Sequence, residues 1–316
     1  MSEVVAVACA DIHLSHSPPQ ARAAEPDWYA AMRRPLEQLH AVSEEHQAPI
    51  VCAGDIFHKW NSPAELINFS LKYWPPDTVV IPGQHDLPNH RLEDVDKSAY
   101  WTLVQGHGQI RGLEYGGEYT ALPGNAFVVG FPWGTEVGDV LRGRVPGMGR
   151  ERGRVLLIAL IHAYVWSNKT NAYLGVTPQA AVPGWKDRLA GYDVAVFGDN
   201  HKPFEAKAGG CRVFNCGGFM RRHADEIAHR PSVGLIHADG TVTRHYLDCS
   251  EDKFTDEAHR AGEILTGDDP ALAEFIADLG DAGAPEALDF SAAVRRYIEE
   301  TKPPAAVAGL LLEVIE

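Results

Sequence analysis

This sequence contains little cysteine and no long apolar run, and each of these absences excludes a class of protein. Five cysteines occur among 316 residues without a Cys-x-x-Cys pair, so neither a disulfide framework nor a four-cysteine zinc site is expected. No run approaches the roughly 20 apolar residues of a membrane span. The first apolar stretch, residues 4–10, has no basic residues ahead of it and is followed by Asp11, which is untypical of a signal peptide. We therefore predict a cytoplasmic protein without membrane contact.

Positive charge is also scarce. The sequence carries 28 Lys and Arg against 43 Asp and Glu, a formal net charge of −15. Residues 251–316 hold 16 of the acidic and 5 of the basic side chains, so the remaining 250 residues are nearly neutral. Such a body is neither a strong binder of nucleic acid nor excluded from binding it. The change in composition predicts a body at residues 1–250 and an acidic helical tail or cap at residues 251–316.

Apolar residues in this tail recur at helical spacing, at Leu272, Phe275, Ile276 and Leu279 and again within residues 307–315. Three interpretations remain open. The helices pack on the body as an ordinary subdomain, they cap the functional site and select its substrate, or they present residues 307–315 to a partner.

Short apolar runs followed at once by polar residues dominate the body. They occupy residues 4–10, 50–53, 78–81, 155–161 and 194–197, and such runs suit strands buried on both faces. Helical patterns lie over residues 29–47, where Pro35 is expected to start or break the helix, and over residues 63–73. Further strands are predicted at residues 211–215, 233–237 and 242–246, the last two joined by an Asp239-Gly240 turn. The alternation predicts an α/β fold with functional residues at the carboxyl ends of strands.

The polar residues that follow these runs are carboxylates, imidazoles and one carboxamide, which are ligands for hard to borderline divalent metals. They are Asp11, His13, Asp55, Gln84, His85, Asp86, His162, Asp199 and His201. A lone histidine is more often structural than a ligand. Five clusters, each directly after a predicted strand, instead predict one shared metal centre.

The order of these clusters resembles the signature of calcineurin-like dinuclear metallophosphoesterases. The motifs are Asp11-Ile-His13, Gly54-Asp55, Gly83-Gln84-His85-Asp86, His162 and Gly198-Asp199-Asn200-His201. The extension Gly54-Asp55-Ile56-Phe57-His58 is most similar to SbcD-type DNA repair nucleases, and the resemblance covers about residues 1–247. It implies a four-layer α-β-β-α sandwich with helices outside two sheets, here with a small helical C-terminal extension.

The resemblance also implies a role for each residue. Asp11, His13, Asp55 and His201 would hold a first metal, and Asp55 (bridging), Gln84, His162 and Asp199 a second. His85 would face the scissile phosphate with Asp86 as its orienting partner, and His58 completes the extended motif. Gln84 stands where the family has Asn, and Asp199 where it usually has His. An anionic oxygen at Asp199 favours Mn²⁺ or Mg²⁺, with Fe²⁺ possible, over Zn²⁺.

These roles imply a metal-dependent phosphodiesterase, an SbcD-like nuclease that hydrolyses DNA or RNA with a water shared by two metal ions as nucleophile. Two alternatives stay open: a phosphodiesterase for small nucleotides such as 2′,3′-cyclic nucleotides, and a non-catalytic scaffold. By resemblance, a coiled-coil ATPase subunit of the SbcC kind is a possible partner.

Several features bear on the substrate. Residues 142–154 carry five arginines, which suit either a phosphodiester backbone or a solvated loop. Arg221 and Arg222 would add a second basic spot near the metal loops. Trp60, Trp133 and Trp166 would stack on nucleic-acid bases. More commonly, tryptophans in such positions line a hydrophobic core or a pocket.

Overall fold

The computed structural model describes residues 2–138, 155–173 and 176–260 together with residue 298. The chain forms twelve strands and three α-helices that lie wholly within these residues. The strands are β1 (Val4–Cys9), β2 (Ile50–Cys52), β3 (Thr78–Val80), β4 (Ile110–Gly112), β5 (Glu118–Leu122), β6 (Ala126–Phe131), β7 (Leu156–His162), β8 (Val194–Gly198), β9 (Phe204–Ala208), β10 (Cys211–Asn215), β11 (Ser232–His237) and β12 (Val242–Tyr246). The helices are α1 (Trp28–His46), α2 (Ala64–Tyr73) and α3 (Ala99–His107).

The strands form two six-stranded sheets, ordered β12-β11-β1-β2-β3-β4 and β5-β6-β7-β8-β10-β9. Strands β1 to β4 are parallel neighbours in the first sheet, and β6, β7, β8 and β10 are parallel neighbours in the second. Antiparallel strands β11, β12, β5 and β9 complete the sheets, and β11 and β12 form the hairpin that the Asp239-Gly240 turn predicts. Parallel strands end at one edge of each sheet, where their following loops can meet.

Three apolar layers hold the sheets and helices together. Alternate residues of β1 face opposite ways: Val7 packs with the helices, whereas Ala8 packs between the sheets. The outer face of the second sheet is covered by residues of the 3₁₀ segment Val182–Trp185 and the chain that follows it. This arrangement confirms the α/β class and the sandwich of two central sheets.

Helix α1 runs without interruption through Pro35, so the prediction that this proline starts or breaks the helix is wrong. A proline inside a helix costs about 3 kcal/mol because it removes one backbone hydrogen bond. Met32, Leu36 and Leu39 are fully buried on the same helix. Burying these side chains contributes roughly 1.5–3 kcal/mol each, which outweighs the cost of the proline.

The chain divides into two compact units, and all of the strands and α-helices given above lie in the first, residues 1–18, 26–221 and 230–252. The second comprises residues 19–25, 222–229 and the chain from residue 253. Within the second unit, Ala21, Ala224 and Ala258 form a small apolar cluster. Arg22 and Glu25 of this unit form a buried ion pair.

The predicted tail helices, at residues 272–279 and 307–315, lie outside the described residues. The boundary near residue 250 and the role of the tail therefore stay predictions. Among the described residues there is no helix with the length and apolarity that a membrane span requires.

Candidate metal centre

The predicted ligands lie at the ends of strands or on the loops that follow them, and four of them have left-handed backbone conformations. The φ angles are 55° at Asp11, 50° at His13, 55° at Asp55 and 91° at Asp199. Residues other than glycine rarely adopt positive φ, and Asp and His do so more readily than most. Such costly conformations cluster at functional sites because the surrounding structure enforces them.

Backbone hydrogen bonds tie these loops together. The amide of Asp11 donates to the Gly54 carbonyl at 3.0 Å, and the amide of His13 donates to the Asp55 carbonyl at 2.9 Å. The amide of Asp199 donates to Oδ1 of Asp11 at 2.9 Å. The loops after β1 and β2 of the first sheet are therefore linked to each other and to the loop after β8 of the second.

Glycine is required at two positions because other residues approach its Cα closely. A Cβ on Gly83 would lie 2.1 Å from Oδ1 of Asp55 and 2.6 Å from Cε1 of His162. A Cβ on Gly54, whose φ is +92°, would lie 2.6 Å from Nδ1 of His162. The glycines of the Gly-Asp and Gly-Gln-His-Asp motifs thus allow Asp55 and His162 to come together.

Asp11, His13 and His201 form the first half of the centre. Each offers one ligand atom within 4.8 Å of the others. The two Nε2 atoms of His13 and His201 are 3.0 Å apart. Two ring nitrogens and a carboxylate that point at one another are a donor set for a divalent cation.

Asp11, Asp55 and His162 form the second half, with ligand atoms again within 4.8 Å of one another. Oδ2 of Asp55 lies 3.7 Å from Nε2 of His13 and 3.5 Å from Nε2 of His162, so Asp55 lies between the two halves. Nδ1 of His162 donates to the Ala53 carbonyl at 2.6 Å. Because a carbonyl only accepts, this bond directs the other ring nitrogen toward Asp55.

The residues present fit a divalent cation. Oδ2 of Asp11 and Nε2 of His162 are buried without a hydrogen-bond partner among the described residues. Burial raises the pKa of Asp11 to about 7 and also raises that of Asp199. Burial would raise the pKa of Asp55 as well, but His162 and His85 outweigh it and lower this pKa. The buried carboxylates of Asp11 and Asp55 and the half-buried carboxylate of Asp199 repel one another, and a cation would offset that repulsion.

Gln84 and Asp199 lie against each other beside the second half. Nε2 of Gln84 donates to Oδ1 of Asp199 at 3.0 Å. The two convergent groups described above do not include Asp199. The pair nevertheless adds a carboxamide and a carboxylate to the loops after β3 and β8, so both remain candidate ligands.

His85 and His58 stack next to these ligands. Their ring centroids are 5.5 Å apart with an interplanar angle of 17°. Nδ1 of His85 lies 3.0 Å from the His58 carbonyl, and its ring meets that of His13 edge to face at 4.9 Å. His58, His85 and His13 also bring ligand atoms within 4.8 Å of one another.

Asp86 was expected to orient the His85 ring, but its hydrogen bonds in the structure go elsewhere. The carboxylate of Asp86 accepts hydrogen bonds from the backbone amides of Phe57 at 2.9 Å, Gly83 at 3.0 Å and Ile56 at 3.1 Å. The orienting contact on the His85 ring comes instead from the His58 carbonyl. A buried carboxylate binds backbone amides strongly, so Asp86 fixes the two loops rather than the ring.

A polar network that the motifs do not predict lies beside His201. Asn200 is fully buried, and its Nδ2 donates to the carbonyls of Val165 and Asn171 at 2.8 Å each. Its Oδ1 accepts from the amide of Lys202 at 3.0 Å. The only sequence signal was its position between Asp199 and His201, which does not reveal its partners.

The three tryptophans that were predicted to stack on bases have different surroundings in the structure. The Trp133 ring lies 6.2 Å from that of His162, whereas Nε1 of Trp166 donates to the Thr177 carbonyl. The carbonyl of Trp60 accepts from the amide of Ala99 at 2.7 Å. Residues 142–154 lie outside the described residues.

The basic spot predicted at Arg221 and Arg222 does not form. Arg221 donates to the Asp252 carboxylate at 3.0 Å and to the Cys249 carbonyl at 2.6 Å. In the second unit, Arg222 is buried, and its amide donates to Glu226 at 2.6 Å. Burial lowers the pKa of Arg222 to about 10. The Arg221 side chain serves internal contacts, and the Arg222 side chain is buried.

One family model and several solved structures are similar to this chain. The family model for calcineurin-like phosphoesterases matches residues 5–203. A search of curated proteins gave no match. Solved structures with a similar fold include TT1561 of Thermus thermophilus, which is 12% identical with a TM-score of 0.45 over 78% of this chain and 100% of that one.

Two further structures are similar. YfkN from Bacillus subtilis, a calcineurin-like phosphoesterase, is 15% identical with a TM-score of 0.43, over 87% of this chain and 99% of that one. An archaeal phosphodiesterase is 10% identical with a TM-score of 0.38, over 77% of this chain and 99% of that one.

Proposed function

The chain belongs to the calcineurin-like phosphoesterase family and is a hydrolase of phosphoric esters, and we propose that it is a phosphodiesterase that cuts nucleic acid as SbcD-type nucleases do. The convergent ligand groups argue against the non-catalytic scaffold, which would not need them. The observation that carries the proposal is the position of His85, stacked on His58 and held by its carbonyl beside the convergent ligands.

A diester needs help for its leaving group, and His85 can provide it. The His58 carbonyl accepts a hydrogen bond from Nδ1, so the proton of the neutral ring is on that nitrogen. When the ring is protonated, Nε2 also carries a proton and can donate it to the departing alkoxide. General acid catalysis of this kind contributes roughly 10²–10⁴-fold to the rate.

Asp11, His13, Asp55 and His201 would hold one cation, and Asp55, Gln84, His162 and Asp199 a second. Bound divalent cations would neutralise charge on the phosphoryl oxygens and make a water nucleophilic near neutral pH. Oxygen donors outnumber imidazoles in the second set, so we propose Mn²⁺ as the metal, ahead of Mg²⁺ and Fe²⁺ and well ahead of Zn²⁺.

Small nucleotides such as 2′,3′-cyclic nucleotides are the second candidate substrate. The observation that favours them is the internal bonding of Arg221 together with the burial of Arg222, which removes one basic surface for a long backbone. An aromatic face for a base is consistent with either substrate, and Trp133 offers one beside His162.

A role in DNA repair with an SbcC-like ATPase subunit belongs to the same proposal and rests on the motif Gly54-Asp55-Ile56-Phe57-His58. We also propose a cytoplasmic location. The five cysteines are free, and four of them are buried, which suits a reducing compartment.

The test is hydrolysis in Mn²⁺ of a single-stranded oligonucleotide and, in parallel, of a 2′,3′-cyclic nucleotide. Asp55→Ala should abolish the activity, whereas Glu93→Ala, an exposed acid, should retain it. Oligonucleotide cleavage that disappears in Asp55→Ala supports the nuclease. Turnover of the cyclic nucleotide with an intact oligonucleotide selects the second candidate, and activity that survives Asp55→Ala comes from a contaminant and contradicts both.

A further inference from the structure

Two tyrosines after β7 lie at the margin of the metal loops, and the mechanism proposed above does not use them. The ring centroids of Tyr164 and Tyr173 are 5.7 Å apart with a tilt of 44°. The Tyr164 hydroxyl accepts a hydrogen bond from the amide of Tyr173 at 2.7 Å. Burial raises the pKa of Tyr164, and the negative charge of nearby Asp199 raises it further. Tyr173 is 40% exposed.

A cation accompanies this exposed ring. Nζ of Lys202 lies 4.7 Å from the centroid of the Tyr173 ring, and Lys202 directly follows the candidate ligand His201. An aromatic face next to an ammonium group suits a nucleoside that carries a phosphate. The base can stack on the ring, and the ammonium can face a backbone phosphate.

Asn200 connects the chain segment that precedes Tyr173 with the amide of Lys202. Its side chain donates to the Val165 and Asn171 carbonyls and accepts from the Lys202 amide, so it uses three hydrogen bonds in a fully buried position. Asn200 stands between Asp199 and His201 in the chain. One amide side chain therefore links the loop of the tyrosines to the loop of the ligands.

We propose that Tyr173 and Lys202 form a subsite for the nucleoside next to the scissile phosphate, and that Asn200 is the positioning residue that holds this subsite at the metal centre. The subsite rests on the proposed phosphodiesterase function and makes it specific for nucleotides. Tyr173 stacks on the base, and Lys202 faces the neighbouring phosphate.

Two substrates with the same leaving group separate base recognition from chemistry. They are thymidine 5′-(p-nitrophenyl phosphate) and methyl p-nitrophenyl phosphate, which lacks a base. Stacking on one base is worth about 1–3 kcal/mol, so Tyr173→Leu should raise KM for the thymidine ester about tenfold. The kcat for that ester and both constants for the methyl ester should stay unchanged.

Tyr115→Leu, at an exposed tyrosine that the proposal does not use, is the control and should behave as the wild type. Tyr173→Phe keeps the ring and should raise KM for the thymidine ester less than Tyr173→Leu does. Neither substitution of Tyr173 removes the backbone amide that bonds Tyr164. An equal change for both esters in Tyr173→Leu, or no change for either, overturns the subsite. Absence of turnover of both esters by the wild type instead contradicts the phosphodiesterase function, and the subsite with it.

Asn200→Asp tests the positioning role, since a carboxylate cannot donate to the two carbonyls. We expect KM for the thymidine ester to rise about as much as in Tyr173→Leu, with Mn²⁺ content by elemental analysis unchanged. Lys202→Gln should raise KM for an oligonucleotide and make it less sensitive to salt. If Asn200→Asp lowers kcat/KM for both esters equally, Asn200 supports the fold in general and the positioning role is wrong.

Discussion

Gln84 donates a hydrogen bond of 3.0 Å from Nε2 to Oδ1 of Asp199, across loops that follow one strand of each sheet. A carboxylate only accepts, so the amide nitrogen of Gln84 must face Asp199 and its oxygen is the atom that can bind a cation. These are the two residues that depart from the metallophosphoesterase pattern. Because Gln84 and Asp199 contact each other, the two departures from the pattern are structurally linked. Together they place a carboxamide oxygen and a carboxylate on one side of the metal centre.

Replacement of Asp199 by His should change which metal the protein prefers. Asp199→His exchanges an anionic oxygen for an imidazole nitrogen, and nitrogen donors favour Zn²⁺ relative to Mn²⁺. We expect the ratio of Zn²⁺ to Mn²⁺ affinity to rise about tenfold or more, measured by competition calorimetry on the metal-stripped protein. Glu205→His, on an exposed side chain of β9, should leave the ratio unchanged. An unchanged ratio in Asp199→His would mean that Asp199 does not contribute to metal binding.

A methyl group at Gly83 should disrupt the metal centre without straining the backbone. The φ of Gly83 is −91°, which alanine adopts readily, but its Cβ would lie 2.1 Å from Oδ1 of Asp55. We expect Gly83→Ala to lose Mn²⁺ and to be destabilised by about 1–3 kcal/mol, as for other overpacked sites. Elemental analysis and urea unfolding measure the two effects.

The control for this change is Gly210→Ala, where a Cβ meets nothing within 4 Å. It should keep both the metal and the stability of the wild type. Normal Mn²⁺ content in Gly83→Ala would show that Asp55 can move aside without loss of the centre.

The sequence predicts the metal loops better than the rest of the fold because ligand chemistry leaves a local pattern. Asp11, Asp55 and His162 each follow a continuous apolar run, and parallel strands bring such positions to one edge. The sequence pattern does not predict strands β5 and β6, although Gly124 and Asn125, both with positive φ, form the turn between them. Strand β6 pairs with β7 and β5 pairs with β6, and a local pattern does not reveal either register.

For a similar reason, the sequence does not predict roles that depend on hydrogen-bond partners. Asp86 adjoins His85 in the chain, yet its oxygens meet amides at Ile56 and Phe57, roughly 30 residues earlier, as well as the local Gly83 amide. Asn200 likewise bonds Val165 and Asn171. Side-chain identity shows what such a residue can bind, and only the fold determines which partner is within reach.

Removal of divalent metal should destabilise the protein. Asp11, Asp55 and Asp199 lie together in the centre, and burial raises the pKa of Asp11 to about 7, so a cation relieves an unfavourable charge. A ligand at 100 times its Kd stabilises a protein by about 2.7 kcal/mol, which corresponds to a rise in Tm of roughly 5–10 °C for a domain of this size. Differential scanning fluorimetry with EDTA and then with excess Mn²⁺ measures the shift.

Asp11→Asn separates this effect from general stabilisation by salt. The variant can keep the hydrogen bond from the Asp199 amide but loses the negative charge. Its shift in Tm with Mn²⁺ should be at least halved, whereas Glu93→Ala should shift as the wild type does. Equal shifts in Asp11→Asn and the wild type would place the stabilising metal elsewhere.

Loss of the His85 imidazole should affect substrates according to their leaving groups. An alkoxide leaving group needs a proton, whereas p-nitrophenolate leaves without one, so His85→Ala should reduce kcat on an oligonucleotide roughly 10²–10⁴-fold and reduce it much less on a p-nitrophenyl diester. His85→Gln keeps a hydrogen-bond donor without a titrating group and should show the same selectivity. Because the His85 amide donates to Oδ1 of Asp55 at 2.9 Å, the backbone contact survives both substitutions. Equal losses on both substrates would mean that His85 stabilises the phosphoryl group rather than protonating the leaving oxygen.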